Sequence, residues 1–544
     1  MPAENESTPE KKGEPENDNN IDDNNIDDNN IDDNSIDDNS IDDNSIDDNN
    51  IDDKNEETII GRTFKRIMQG KNPYLVFGAV FLMLHILFDP VKNDNMSIFM
   101  LLLMFCMIAL SIPLLIKKQL TYDRAAVLIM MIGLMVRIIY VLNTPALVRQ
   151  HDLAPDNYGQ MDYILHFVNS WSLPDTNLIQ FYHPPLHHMI CAIWFRISAF
   201  FNVEHDTIIE SFQYLTAFYS SCLMVVTYRI FIHLKLKKQF LLVATALVAF
   251  HPTMVILAGS INNDMLAILF YVSAFLWMLR WWEEQSIKNT VLLALCVGLG
   301  MMVKIGNATL AFVIAPFFLY KLIKENQWAS RLKLATKFLI FGCISIPLGL
   351  WHAIRNLIEF GQPLGFVLEQ QVGGWLDRGD VPLFSRIFSF PLEQLVASPY
   401  VVLKTDYSLP IYTVKCSLFG EWSYTNMDFL AIALVALNII LIAMSLIAMV
   451  YTLVRKQKTE YWMLFALWLV HIVSHVFFYI RYPFACSMDF RYIVPTLICG
   501  AGFICIAGQR LAEEREGLWK IIRLAVSAPI ILFIVLSTCF MLMM

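Results

Sequence analysis

The stretch 149-RQHDLAPDNYGQMDYILHFVNSWSLPDTNLIQFYHPPLHH-188 is polar and lies between apolar segments. It carries Asp152, Asp156, Asp162 and Asp175, the histidines His151, His166, His183, His187 and His188, and Tyr182 ahead of the rigid pair Pro184-Pro185. A connector between two membrane helices needs none of these groups. A loop this long and this titratable is more often functional than structural.

Outward from that loop the chain is strongly apolar. It has 544 residues, 56% of them hydrophobic, and a mean hydropathy of +0.49. Apolar runs approaching twenty residues recur along it, each enough to cross a hydrocarbon core of roughly 30 Å. The fold class read from this is all-α: a polytopic membrane protein of about 13 transmembrane helices, with juxtamembrane helices in the first large lumenal loop. A soluble class is excluded. The ten cysteines sit mostly inside apolar segments without a C-x-x-C pair, so they read as buried small hydrophobes.

Charge divides the chain. Residues 1–60 hold 3 Lys and 22 Asp+Glu, a net of −19; the rest holds 37 Lys+Arg and 27 Asp+Glu, a net of +10. In the tail Ile-Asp-Asp recurs every five residues from Ile21 to Ile51. Isolated isoleucines among repelling carboxylates build no core, so residues 1–60 are expected to be a disordered acidic tail. Calcium binding by its Asp-Asp pairs is the lesser reading, since no glycine-turned EF-hand loop is present. No signal peptide is expected ahead of the first span.

Spans are read at about 74–89, 97–116, 125–143, 211–233, 240–257, 266–282, 290–304, 308–323, 335–352, 428–453, 461–480, 493–508 and 521–543. Residues 61–124 thus add two helices before a main domain over 125–544. Its catalytic-loop candidate is 146–188, and a second large loop covers 353–427. The basic connectors Arg62–Lys71, Lys117–Arg124, Lys235–Lys238, Lys321–Lys337, Arg455–Lys458 and Arg510–Lys520 are cytoplasmic under the positive-inside rule, as is the N-terminus. All fall on one side only if the short apolar segment 186–201, with Arg196, does not cross. It is therefore expected to be juxtamembrane or re-entrant; the weaker alternative is that it crosses and one apparent long span is really two. The two long loops, Asn262-Asn263-Asp264, Lys304 and Arg481–Arg491 then gather on the opposite face.

Each candidate has a plainer reading. Asp152 follows a span and suits a general base, or it is a solvated loop acid. Tyr182-His183-Pro184-Pro185 holds an imidazole near the membrane surface, or merely starts a helix. Asp264 faces a cavity or a partner, or it is a favourable helix N-terminal charge. Lys304, inside LGMMVKIGNATLAF, must snorkel, pair or hold an anion, and the cost of burying its charge favours function. Arg355 and Arg491 are cations matched to phosphate, or interfacial anchors.

Taken in order, these motifs resemble the GT-C superfamily of membrane glycosyltransferases, in its protein O-mannosyltransferase and aminoarabinose-transferase-like branch. The resemblance covers most of residues 125–510. It runs through Asp152 at the start of the loop, a horizontal helix over Asp162–Trp171, His183-Pro184-Pro185-Leu186 and the small-polar stretch Gly259–Asp264. It continues with Lys304 ending a glycine-rich span, Trp351 to Arg355-Asn356, and Arg491-Tyr492-Ile493-Val494-Pro495. The mannosyltransferase branch carries Asp-Glu at the loop acid; here Leu153 follows Asp152.

The resemblance implies transfer of a hexose or pentose, with inversion, from a polyprenyl (dolichyl) phosphate donor to a lumenal protein, lipid or glycan acceptor. Asp152, Asp264 and His183 would then be catalytic. Lys304, Arg355, Arg491, Tyr182 and Asn263 would bind substrate. A divalent cation, Mg or Mn, is compatible, although no metal-ligand spacing demands one. Membrane lipid is an expected partner and nucleic acid is not. The Asn/Asp-rich repeat leans toward a eukaryotic endoplasmic reticulum membrane, with the plasma membrane as the bacterial counterpart. A transporter or flippase of lipid-linked sugars, or a non-catalytic membrane scaffold, would also place polar groups in a helical bundle. The matched broken halves usual in transporters are not evident.

Overall fold

The computed structural model describes residues 72–87, 95–148, 159–176, 180–368, 371–455 and 458–544. The acidic tail, the basic patch after it and Asp152 lie outside the described residues. Those described are helix, turn and loop, with one isolated antiparallel bridge between Asp377 and Phe484.

Among them, ten helices are long and apolar enough to cross a membrane: Asn95–Ile116, Tyr122–Asn143, His205–His233, Asp264–Glu283, Ile305–Lys324, Trp328–Phe360, Asp428–Val454, Thr459–Arg481, Pro495–Glu514 and Glu516–Met543. An eleventh is broken, Lys238–Ala249 meeting Pro252–Gly259 at 55°. The shorter apolar helices Asn72–Leu87 and Ile287–Val303 stand where two further spans were read, so the expected count of about 13 is approximate. The chain is an integral, multi-pass, all-helical membrane protein.

The break has a local cause. Pro252 has no N–H to donate to the Val248 carbonyl and starts a new helix with His251 as its N-cap, so the Ala249 carbonyl lies at the break. Arg137, fully buried in the Tyr122–Asn143 helix, reaches across to it: Nη1 donates to Ala249 O at 3.0 Å and to Gly133 O at 2.8 Å, and Nε donates to Ser220 Oγ at 2.8 Å. The carbonyl end of a helix is the end that favours a cation.

Helices His205–His233, Asp264–Glu283, Tyr122–Asn143 and Pro495–Glu514 are the most enclosed, while Asn95–Ile116 is scarcely buried. Leu186–Phe200 is 15 residues long, about 22 Å of helix, short of the roughly twenty residues a crossing needs. It packs beside the juxtamembrane helix Gln160–Ser170 and against His205–His233. Arg196 joins the first two by donating to Val168 O at 2.7 Å, and its guanidinium lies over Trp171.

The second large loop contains a helix that the span reading did not anticipate, Leu409–Phe419. It is too short to cross, yet it is almost entirely buried. Lys415 on it is fully enclosed and pairs with Asp406 at 2.9 Å while donating to Gln394 O at 2.7 Å. This buried pair fastens separate parts of the loop to one another.

Candidate active site

Three separate elements converge on one carboxylate. The first is the turn after Gly259. Asn262 Oδ1 accepts from Asp264 N at 3.2 Å, which sets the first turn of the Asp264–Glu283 helix. The neighbouring Asn263 side chain donates to Val303 O at 3.0 Å, tying the start of this helix to the end of Ile287–Val303. The second element follows: Lys304 caps that helix in extended conformation, its N–H bonded to Gly300 O at 2.9 Å. The helices can approach because position 300 has no side chain. A Cβ there would meet Asn307 Nδ2 at 2.6 Å and the Phe270 side chain at 3.2 Å.

Lys304 Nζ pairs with Asp264 Oδ1. The third element is the short 3-10 turn Phe490–Tyr492, which brings Arg491 Nη1 to 3.6 Å from Asp264 Oδ2. Arg491 is itself held by Asp489: Nε lies 3.4 Å from Oδ2, and the Arg491 backbone N–H donates to Oδ1 at 2.9 Å. Lys304 and Arg491 also lie 4.8 and 5.2 Å from the centre of the Tyr492 ring. Two cations and two carboxylates are thus packed together with little exposure. The Asp264 and Arg491 side chains are 4% and 9% exposed, whereas Lys304 keeps 20%. The ammonium is the part of the cluster an incoming anion meets most readily.

His183 stands beside this cluster. Its backbone is fixed by its own N–H to Gln180 O at 3.1 Å and by Tyr163 OH, which donates to its carbonyl at 3.1 Å. Burial, aided by Lys304 and Arg491 and opposed by Asp264, pushes this half-buried imidazole down to about 3. It is neutral near pH 7, with one donor and one acceptor nitrogen. Tyr182 packs on it at 4.3 Å between ring centres. Both line a narrow, shallow cleft whose other walls include Ile305, His352, Asn356 and Phe366.

The structure therefore brings together Asp264, Lys304 and Arg491, with His183, Tyr182 and Asn263 adjoining. It does not bring in Arg355. That guanidinium pairs with Glu359 at 2.7 Å and donates to Pro174 O at 3.3 and 3.4 Å. A carboxylate one helical turn along has turned it toward the first loop. Sequence reading passed over Asp489 and His352. Asp489 lies two residues from Arg491, and His352 lies one turn before Asn356 on the same helical face. Those spacings were the available signals. Among the described residues no three His, Cys, Asp or Glu side chains gather as a metal-ligand set.

Residues 182–351 match the family model described as dolichyl-phosphate-mannose-protein mannosyltransferase. The match takes in His183, Asn263, Asp264 and Lys304 and stops before Arg355 and Arg491. No curated protein matches the chain. Solved structures that resemble it include ArnT from Cupriavidus metallidurans bound to undecaprenyl phosphate, at 16% identity over 74% of this chain and 63% of that one, with a TM-score of 0.43. The apo form of the same protein gives 16%, 74%, 63% and 0.42. The oligosaccharyltransferase AglB from Archaeoglobus fulgidus, in complex with an inhibitory peptide and a dolichol-phosphate, gives 12% identity over 76% and 56%, with a TM-score of 0.44. The chain spans less than two thirds of the length of these structures. Over residues 182–351 the chain carries the sequence pattern of the dolichyl-phosphate-mannose-protein mannosyltransferase family, and there the resemblance to GT-C membrane glycosyltransferases holds.

Proposed function

We propose that this protein is a membrane glycosyltransferase that moves a hexose or pentose from a polyprenyl-phosphate donor, such as a dolichyl phosphate sugar, to an acceptor hydroxyl on the extracytoplasmic side. The observation that carries this reading is the buried Asp264–Lys304–Arg491 cluster beside a small cleft, most of it inside the family-model match.

In this scheme the lipid tail lies among the helices and the phosphate meets Lys304 and Arg491. Negative charge grows on the phosphate as the bond to the anomeric carbon breaks, and preformed cations in a water-poor site stabilise it there. Asp264 acts on those cations: it holds the ammonium and guanidinium in place before the donor arrives. The acceptor oxygen attacks the opposite face of the anomeric carbon, giving inversion. Asp152 takes the acceptor proton, and the polyprenyl phosphate departs with the bonding electrons. A phosphate leaves without needing a strong acid. A divalent cation is not required by this chemistry. The N-terminus is placed in the cytoplasm, and the membrane is that of the endoplasmic reticulum if the cell is eukaryotic.

The test is release of lipid phosphate by the purified protein in nanodiscs, supplied with a panel of polyprenyl-phosphate sugars and acceptor hydroxyls. Asp152→Asn should fold normally and lose release. A protein that transports these lipids between leaflets without releasing phosphate would instead be a flippase.

A further inference from the structure

The second large loop carries two short helices, Leu383–Phe388 and Leu392–Ala397, whose sides are reversed from what water selects. Leu383, Phe384, Phe388, Phe390, Leu392 and Val396 are exposed, from 44% at Phe390 to 84% at Val396. The side turned toward the protein holds Arg386 and Gln394 beside Ile387, all buried. Phe384 and Phe388 stand one helical turn apart, as do Leu392 and Val396, so each pair shares a side of its helix. The two phenylalanine rings touch, centres 5.5 Å apart. In water the arginine and glutamine would face out and the phenylalanines in. A contiguous apolar crest of this kind marks a surface that meets another apolar phase.

The crest is held rigidly from beneath. Ser408, the N-cap of the buried helix Leu409–Phe419, donates from Oγ to Ser389 O at 2.7 Å, and Lys415 donates to Gln394 O at 2.7 Å. The Arg386 guanidinium lies over the Tyr479 ring, 5.4 Å from its centre. That contact sets the height of the crest. Tyr479 is in the last turn of Thr459–Arg481, a 23-residue span. Such a helix is about 34 Å long, close to the roughly 30 Å hydrocarbon core. Its last turn therefore stands at the boundary between acyl chains and headgroups, and the loop helix clasped to it stands there too. Over residues 383–396 the single exposed charge is Glu393, at the flank of its helix, where a carboxylate reaches the headgroup layer while its neighbours stay among the chains. A protein-docking face would carry a polar rim and hydrogen-bonding groups, and this crest presents almost none.

We infer that residues 383–397 are an interfacial anchor, whose apolar crest led by Phe384 and Phe388 inserts into the membrane leaflet on the side of the second loop. Its partner is the lipid surface itself, and the crest lies flat at the acyl boundary as an amphipathic helix does. The inference goes beyond the glycosyl-transfer reading and does not depend on it: the crest anchors the second loop whatever reaction the charged cluster serves.

The experiment uses the full chain in nanodiscs, with p-trifluoromethylphenylalanine incorporated in place of Phe384 or Phe388. Phe477, 67% exposed on the span Thr459–Arg481, is substituted in the same way as the lipid-facing reference. Fluorine NMR is recorded with a phospholipid that carries a nitroxide near its headgroup, and separately with a gadolinium chelate in the water. The analogue keeps the ring, so the fold is kept, and cooperative thermal unfolding checks this. The resonances at both positions should be broadened more by the lipid-borne nitroxide than by the chelate. Equal or greater broadening by the chelate would place the crest in water and overturn the inference. Loss to neither agent would mean that protein covers the crest, a second copy of this chain included, and would overturn it as well.

Discussion

Lys304, at the end of one helix, pairs with Asp264, the first residue of another, and the pair is buried where Arg491 also reaches the same carboxylate. A lone charge at this depth would be costly, and the pairing is what makes it tolerable. Removing both partners should therefore harm the fold less than the two single losses added together. Asp264→Asn and Lys304→Met should each destabilise by about 3–5 kcal/mol, whereas the double variant should be less destabilised than the sum. Thermal unfolding of the three variants in one detergent checks this. Additive losses would mean that the pair is not coupled.

Gly300 allows the Lys304 helix to approach the Asp264 helix. A Cβ at that position would collide with Asn307 and crowd Phe270, whereas position 306 has open space around it. Gly300→Ala should cost about 1–3 kcal/mol by overpacking and lower donor turnover. Gly306→Ala should leave both nearly unchanged. Equal behaviour of the two variants would show that this approach is not what sets the position of Lys304.

His183 keeps its proton off well below neutrality, to about 3. In the unfolded chain a histidine takes up a proton near about 6.5. Acid therefore protonates the unfolded state first. The stability attached to His183 is complete above about 6.5 and is lost as pH falls toward about 3. His183→Gln should flatten the acid side of the stability curve by one proton's worth of slope. Between pH 5 and 8 it should change the turnover rate without moving the pH optimum. A shift of the optimum in that variant would give His183 a titrating role that its surroundings do not support.

Arg355 and Arg491 looked alike in the sequence, and the structure separates them. Arg491→Gln should weaken binding of bare dolichyl phosphate by about thirtyfold or more, as expected for a charge-assisted contact with phosphate. Arg355→Gln should change it by less than about threefold, since its guanidinium is engaged by Glu359 and the Pro174 carbonyl. Isothermal titration of the two variants decides the point. A comparable loss in Arg355→Gln would place it on the phosphate after all.

What the sequence made legible follows from the cost of charge in an apolar setting. Lys304 stands out because its stretch is otherwise apolar, Asp264 because a short polar run interrupts two apolar segments there, and Arg491 because a proline-led span follows. The helical class and most of the spans came from run length alone. The rest depends on partners distant in sequence. Nothing local says that Arg355 will reach the Pro174 carbonyl, that Arg137 will satisfy the broken helix at Ala249, or that His352 will line the same cleft as Tyr182. The helix Leu409–Phe419 was missed because eleven residues are too few to read as a span, although burial makes it part of the core. Asp152, on which the proton-accepting step depends, lies outside the described residues, so its role rests on sequence reasoning.

The most direct test is single-turnover release of lipid phosphate from polyprenyl-phosphate sugars by the purified protein, wild type beside Arg491→Gln. Release should occur with at least one donor. It should fall by about a hundredfold or more in the variant while that protein still unfolds cooperatively, as expected for loss of a group that stabilises the leaving phosphate. No release with any donor, or an undiminished rate in Arg491→Gln, would contradict a glycosyl-transfer centre built on the Asp264–Lys304–Arg491 cluster.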